Sequence, residues 1–247
     1  MVLVTDPLFF ARFDAAVGPG DLVTVTGEEA HHAVSVKRIV PGETVLLANG
    51  DGVGVRAEVI SAERRELAAR VLDVIPAATP SIGWGVVQAL AKGDRSELAV
   101  QMATELGARE ILAWQAARSI VRWQGERGDK ALDKWRATAR EAAKQSRRFL
   151  VPDVVAVSTA DVADAIAAVD VALVLHEDAP QHIADIDLPE EGTGLVIVGP
   201  EGGIAPEELD RFVEAGAVPV AISDGVLRTS TAAAVALGQL DVLARRP

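Results

Sequence analysis

The spacing of apolar and polar positions changes about a third of the way along the chain. Over residues 1–75 the apolar positions fall in short runs and alternations. Leu8-Phe9-Phe10 reads as a first strand. Asp21–Thr26 alternates with the period of a strand that buries one face, and Thr44–Ala48, Val53–Ile60 and Leu67–Ile75 also read as strands. Turn signals stand between them: Gly18-Pro19-Gly20, Pro41-Gly42, and Asn49-Gly50-Asp51-Gly52 as a hairpin loop. Glu28–Ile39 reads as a helix. Gly27 is its expected cap, and the Glu28-Glu29 pair suits the positive end of its dipole. Short strands with one helix predict a small β-barrel over residues 1–75.

Pro76-Ala77-Ala78-Thr79-Pro80 reads as a linker, residues 76–80. Beyond it, over residues 81–247, strands and helices alternate. Strands are predicted at Trp84–Ala91, Ile111–Trp114, Val154–Val157, Val171–Leu175, in the run that opens at Gly194, and at Val218–Ile222. Helices are predicted at Arg95–Leu106, Asp129–Phe149, Asp161–Ala168 and Pro206–Ala215, with a last, Ala-rich helix opened by Thr229-Ser230-Thr231. This alternation predicts an α/β domain with a mostly parallel sheet covered on both faces.

Two strand ends in that second region carry polar, Gly-bearing loops. Gly194–Val198 runs into Gly199-Pro200-Glu201-Gly202-Gly203, and Val218–Ile222 into Ser223-Asp224-Gly225-Val226-Leu227-Arg228. Together they predict one ligand crevice at the carboxyl edge of the sheet. The first loop lacks the Lys-Ser/Thr of a phosphate-binding loop and the Gly-x-Gly-x-x-Gly of a dinucleotide fold, so neither ATP nor NAD is favoured. Its backbone groups suit the edge of an adenine. Arg228 is a fixed charge beside two glycine turns, placed to stabilise a developing anion or to grip a phosphate or base. Thr229 or Ser230 is the expected N-cap of the last helix.

Charge adds one feature. The net charge of −12 over 247 residues argues against a nucleic-acid partner, but it is unevenly distributed. Residues 1–83 carry −4, residues 84–148 carry +5 and residues 149–247 carry −13. The middle third is the part suited to RNA phosphates. Lys144, Arg147 and Arg148 close its long helix, Lys92 and Arg95 stand at a strand-to-helix turn, and Arg118 is a similar candidate. The bland alternative, cations completing a helix dipole on a solvated face, accounts for the same pattern. His31-His32 with Lys37-Arg38 behind offers a second RNA face, or ordinary surface histidines. The chain has no cysteine, which excludes disulfides and thiolate metal sites and fits a cytoplasmic protein. Its four histidines lack metal-ligand spacing, so no metal is expected. No apolar run has the length of a membrane span.

Taken in order, these segments resemble the bacterial RsmE family of 16S ribosomal RNA uridine N3-methyltransferases, of the SPOUT class. The resemblance covers essentially the whole chain. It is carried by His31-His32 with Lys37-Arg38, Lys92-Gly93-Asp94-Arg95, Ala103-Thr104-Glu105-Leu106-Gly107, Arg118-Ser119, Glu141–Arg148, Gly199–Gly203 and Leu227-Arg228-Thr229-Ser230-Thr231-Ala232. It implies an N-terminal PUA-like barrel that helps hold RNA and a C-terminal SPOUT domain with a deep trefoil knot. The implied methyl donor is S-adenosyl-L-methionine, held by three loops: Leu175-His176-Glu177, Gly199–Gly203 and Ile222–Thr231. The implied cofactor contacts are Leu175, His176, Gly199, Pro200, Gly202, Gly203, Ile222, Leu227, Thr229 and Thr231. Arg228 is the expected charge stabiliser and Glu201 the expected base. The implied RNA contacts are His31, Lys37, Arg38, Lys92, Arg95, Arg118, Arg147 and Arg148. The resemblance further implies a homodimer through the knot and the final helix, and a uridine in the decoding region of the 30S subunit as substrate. The sequence departs from the family at Ser230, where the family reads glutamate within Leu-Arg-Thr-Glu-Thr-Ala. Two alternatives stay open: another RNA methyltransferase of the class, or a non-catalytic RNA- and S-adenosylmethionine-binding protein.

Overall fold

The computed structural model describes residues 6–76 and 80–245. Residues 77–79 of the expected linker lie outside that range. The chain forms two compact units. One holds the described residues up to 76 together with Ala143–Val151, and the other holds residues 80–142 and 152 onward.

The first unit is a five-stranded sheet of β1 (Leu8–Phe10), β2 (Leu22–Thr26), β3 (Thr44–Ala48), β4 (Gly54–Glu63) and β5 (Glu66–Ile75). Its order is β1-β3-β4-β5-β2; β1 pairs with β3 in parallel and the other neighbours are antiparallel. The β4–β5 ladder shifts register between Arg56 and Ala57 and again between Val59 and Ser61. Such irregularities bend a sheet and increase its twist. The alternating residues then face one core: Val23 and Val25, Val45 and Leu47, Val55 and Ala57, Leu67 and Ala69, with Phe9.

The helix α1 (Gly27–His31) widens into a π turn over His32–Val36. It is shorter than its expected span to Ile39, because Arg38 takes a left-handed φ of 59° that no helix continues through. Its N-cap is Thr26 rather than Gly27.

The second unit is a six-stranded, wholly parallel sheet. It comprises β6 (Ile82–Ala89), β7 (Glu110–Trp114), β8 (Asp153–Val157), β9 (Val171–Leu175), β10 (Gly192–Val198) and β11 (Val218–Val220), in the order β11-β9-β10-β6-β7-β8. Five helices accompany it: α2 (Arg95–Glu105), α3 (Gly125–Gln145), α4 (Thr159–Ala167), α5 (Pro206–Glu214) and α6 (Thr229–Leu243). All eight residues of β6 are buried, as expected of a central strand covered on both faces. Val100, Ala103, Trp135, Ala139, Ala236 and Leu240 fill one core with Val86, and Val162, Ile166 and Phe212 fill the other with Val87. α2, α3 and α6 therefore cover one face, and α4 and α5 the other. Gly194 on β10 lies against the indole of Trp84, which occupies the space a Cβ would need.

α3 starts a turn earlier than expected and stops at Gln145 rather than Phe149. Arg147, with φ 56°, ends it in the same way that Arg38 ends α1. From Ala143 onward it belongs to the first unit. Lys144 is buried there in an ion pair with Glu29, Nζ to Oε2 2.7 Å, over the ring of Phe9. Its charge is therefore committed inside the protein rather than offered to RNA. Much of the apolar surface of α6, the helix implied above at a dimer contact, turns inward. Ala232, Ala233, Ala236, Leu237 and Leu240 are buried in this chain's own core, and Val242 remains 60% exposed.

Candidate active site

The sheet order sets the place of the site. β9 and β10 are neighbours, but after β10 the chain crosses over β9 to lay β11 at the sheet edge. The loops after β9, β10 and β11 leave the same, carboxyl edge of a parallel sheet, where such folds bind ligands. They enclose a cleft of about 780 Å³. Its lining includes Leu175 and His176, the turn Gly199–Ile204, Ile222 and Leu227–Thr229, with Arg95 and Arg118 also in the wall. That volume lies in the range of small-molecule sites.

All but one of the cofactor contacts implied above meet in this cleft. Leu175, His176, Gly199, Pro200, Gly202, Gly203, Ile222, Leu227 and Thr229 line it, as do Glu201 and Arg228. Thr231 does not. It sits inside the first turn of α6, where its Oγ1 donates to the carbonyl of Arg228 at 3.1 Å. Neither Thr229 nor Ser230 is the N-cap of α6. Arg228 holds that position, with an extended backbone and no capping side chain. Ser230 is 3% exposed and is absent from the cleft wall, so the residue that departs from the family faces the interior.

The glycine turn is held by side chains and backbone from three other segments. The Lys92 N–H donates to Glu201 Oε1 at 3.0 Å, which ties the turn to the Lys92–Arg95 loop. Arg118 Nη1 donates to the carbonyls of Gly202 and Ile204 at 3.3 and 3.4 Å. Thr229 Oγ1 donates to the carbonyl of Gly199 at 2.7 Å. Space is tight as well: a Cβ on Gly199 would lie 2.7 Å from Ile204 Cγ1. Gly203 takes a φ of 73°, which favours glycine.

The RNA candidates fall into two sets, one in each unit. Lys92, Arg95 and Arg118 are exposed in the second unit, and Arg95 and Arg118 line the cleft. Lys37, Arg38 and Arg147 are exposed in the first unit; Arg148 and His31 are half-buried there, His31 with Nδ1 3.1 Å from Ser35 Oγ.

Three polar side chains that support the cleft are not announced by the sequence pattern; Glu208 and Gln88 are buried and Gln239 is half-buried. Glu208 of α5 accepts from the Ala117 N–H and from Thr159 Oγ1, each at 2.9 Å, which fixes the loop that carries Arg118. Gln88 and Gln239 bond to the loop between β11 and α6. Gln88 left a signal, being the one polar side chain in the strand Ile82–Ala89. Glu208 and Gln239 sit in helices where a polar residue is unremarkable. The cleft wall also carries the carboxylates Glu177, Asp178 and Asp210, alongside Arg95, Arg118 and Arg228.

Two family models match this chain: an RNA methyltransferase domain over residues 80–241 and an RNA methyltransferase PUA domain over residues 25–72. The ribosomal RNA small subunit methyltransferase E of Mycobacterium tuberculosis is 48% identical over 240 residues, covering 94% of this chain and 91% of that protein. The enzyme of the same name from Bacillus subtilis is 31% identical, covering 88% of each. Among solved structures, the ribosomal RNA small subunit methyltransferase E of Neisseria gonorrhoeae, bound to S-adenosylmethionine, superposes with a TM-score of 0.84 at 25% identity, covering 97% of this chain and 98% of that one. Fold, cleft and relatives agree, and the chain belongs to the ribosomal RNA small subunit methyltransferase E family, RsmE.

Proposed function

We propose that this protein transfers the methyl group of S-adenosylmethionine to N3 of a uridine in the decoding region of 16S ribosomal RNA. The observation that carries this reading is the three-loop cleft, in a chain of this family. The lining fits the donor. Leu175, Val198, Ile222 and Leu227 offer apolar walls, the turn Gly199–Gly203 offers backbone groups, and Glu177, Asp178 and Asp210 offer negative charge to a cationic ligand.

When bound, S-adenosylmethionine supplies a methyl group already activated by its sulfonium. The protein's part is to position the base and to remove its N3 proton, since the neutral imide nitrogen is a poor nucleophile. Arg228, on the cleft wall, stabilises the negative charge that spreads over the uracil oxygens as that proton leaves. Glu201 commits Oε1 to the Lys92 N–H, and its second oxygen accepts the N3 proton. The N3–CH3 bond forms as the S–CH3 bond breaks. Because N3 lies on the pairing edge, the uridine enters unpaired or flipped out. Lys92, Arg95 and Arg118 hold phosphates beside the cleft. His31, Lys37, Arg38, Arg147 and Arg148 hold RNA on the PUA-like unit.

Residues 1–75 act in this reading as the RNA-binding domain and residues 81–247 as the methyltransferase domain. The latter carries the trefoil knot of its class. In support, the chain leaves edge strand β11 and returns through residues 221–228 to α6, which packs on β6 and β10. An experimental backbone trace decides the knot. A homodimer through that domain is expected in solution, in the cytoplasm with the 30S subunit, and light scattering at the monomer mass would exclude it.

The decisive experiment incubates the protein with labelled S-adenosylmethionine and 30S subunits from cells lacking the gene, followed by nucleoside mass spectrometry. A new 3-methyluridine is the expected product. Label in a ribose or in another base would overturn the N3 assignment, and no transfer by protein that binds the donor would overturn the catalytic reading. Arg228→Ala is expected to lower kcat by at least about a hundredfold, the order of one lost oxyanion donor. Undiminished turnover would exclude its role. Glu201→Gln that kept wild-type kcat at every pH would exclude the carboxylate as base.

A further inference from the structure

Three buried side-chain polar atoms have no hydrogen-bond partner among the described residues: Gln88 Oε1, Gln239 Oε1 and Ser119 Oγ. Each lies next to the cleft's framework rather than elsewhere in the protein. Gln88 and Gln239 bond to cleft residues, and Ser119 follows Arg118. Buried orphans are uncommon and costly, so their gathering behind one cleft calls for a physical reason.

The two glutamines bracket one loop. Gln239 Nε2, from α6, donates to the carbonyl of Ile222 at 3.1 Å, where the loop leaves β11. Gln88 Nε2, from β6, donates to Thr229 Oγ1 at 3.1 Å, where the loop enters α6. The segment between them, Ser223–Arg228, carries the cleft arginine and an exposed Val226. Gln88 does more than mark an end. A hydroxyl has one proton, and Thr229 gives its own to the Gly199 carbonyl at 2.7 Å. The Gln88 amide donates to the same oxygen from the other side, and so fixes which way that proton points. The relay Gln88–Thr229–Gly199 joins a central strand, the last helix and the glycine turn. No other side chain described above links those three elements.

We infer that Gln88 and Gln239 are positioning residues that pin the two ends of the Arg228 loop and hold the methyl-donor cleft in its binding shape, at the expense of two buried orphan acceptors. The inference rests on the proposed donor site and adds residues that touch neither donor nor RNA. It also makes a prediction that a merely structural role does not share. Methionine nearly matches glutamine in volume. Replacing Gln88 by Met removes the useful donor together with the costly orphan, so global stability should hardly change. Donor affinity should fall nonetheless.

The test measures S-adenosylmethionine binding by calorimetry on the full-length protein, alongside thermal unfolding. Gln88→Met is expected to raise Kd roughly tenfold, the size of one hydrogen bond, with a melting temperature within a degree or two of wild type. Gln239→Met is expected to raise Kd by roughly threefold, since it holds a carbonyl rather than a relay. Thr229→Val should match Gln88→Met, Thr229→Ser should restore wild-type binding, and the Gln88→Met/Thr229→Val double variant should bind no worse than either single one. A Gln88→Met protein with wild-type Kd would overturn the inference. So would one that loses stability in step with affinity, or additive losses in the double variant. If Gln88→Met does not fold, stability rather than positioning is its role, and the inference fails. A wild-type protein that binds no donor would instead overturn the proposed site itself.

Discussion

Two glycine-bearing turns in this chain look alike in sequence and are held in opposite ways. Asn49-Gly50-Asp51-Gly52 closes the β3–β4 hairpin largely through its own groups. Asn49 Oδ1 accepts from the Asp51 and Val53 N–H groups at 2.9 and 3.1 Å, and the Asn49 N–H donates to the Val53 carbonyl. Its outside contacts are backbone bonds to Phe149 and Val151. Gly199-Pro200-Glu201-Gly202-Gly203 has one internal bond, from the Gly203 N–H to the Pro200 carbonyl. The rest of its hold comes through side-chain bonds with Lys92, Arg118 and Thr229, up to 109 residues away in sequence. A turn held by one of its own side chains and by backbone bonds serves the fold without depending on any distant side chain. A turn held by distant groups registers small changes in several elements, which is what a ligand site requires.

The contrast can be broken by substitution. Gly199→Ala forces a methyl group against Ile204, and the turn has to move. Donor affinity should fall by roughly 10- to 100-fold in calorimetry, the range of an overpacked contact. Asn49→Ala is the matched change in the other turn. It removes two local bonds and should lower the melting temperature by about 3 °C while leaving donor affinity untouched. If Asn49→Ala weakened donor binding, or Gly199→Ala spared it, the distinction would collapse. Arg118→Lys keeps the charge but loses the fork that reaches two carbonyls, and a two- to threefold rise in Kd is expected from such long bonds.

The smallest effect tests a group at the amino edge of the parallel sheet, opposite the edge that bears the cleft. Glu110, at the start of β7, has its pKa raised, first by burial and then by Asp153 across the β7–β8 pair. A folded-state pKa above the unfolded one means that the folded protein binds the proton more tightly. Stability from this group is therefore present at low pH and is lost as pH rises through the raised value. Glu110→Gln should raise the melting temperature at pH 7 by about a degree or two, since the group is partly solvated, and should do nothing near pH 4. Donor affinity should not change at either pH.

The periodic parts of the molecule were legible in the sequence, because alternation and helical spacing are local records of burial. All eleven strands among the described residues fall within a few residues of their expected spans, and the cleft loops follow from where strands meet glycine. Helix ends were less legible. Arg38 and Arg147 stop helices with left-handed backbones that no sequence rule assigns to arginine. The partners of buried polar groups were not legible at all. Lys144 read as a surface cation because its pairing with Glu29 joins residues 115 apart, and Gln239 read as one more helix residue. Such pairings exist only once the chain has closed on itself. Residue type alone does not announce them.

The helix α3 has a further consequence for how the protein is made. Leu8, Phe10 and Ala48 form a small cluster with Ala143, and Phe149 and Val151 pack against it. Its missing wall is encoded about 70 residues after the last strand of the unit. During synthesis the N-terminal sheet emerges first, yet this apolar patch stays uncovered until translation has passed Val151 and those residues have left the exit tunnel. At about 5–20 residues per second, that is an interval of roughly 4 to 15 seconds. A nascent-chain truncation at residue 76 would then be more protease-sensitive and more prone to associate than one that extends past Val151. The unit that reads first in the sequence is completed only after much of the second has been synthesised.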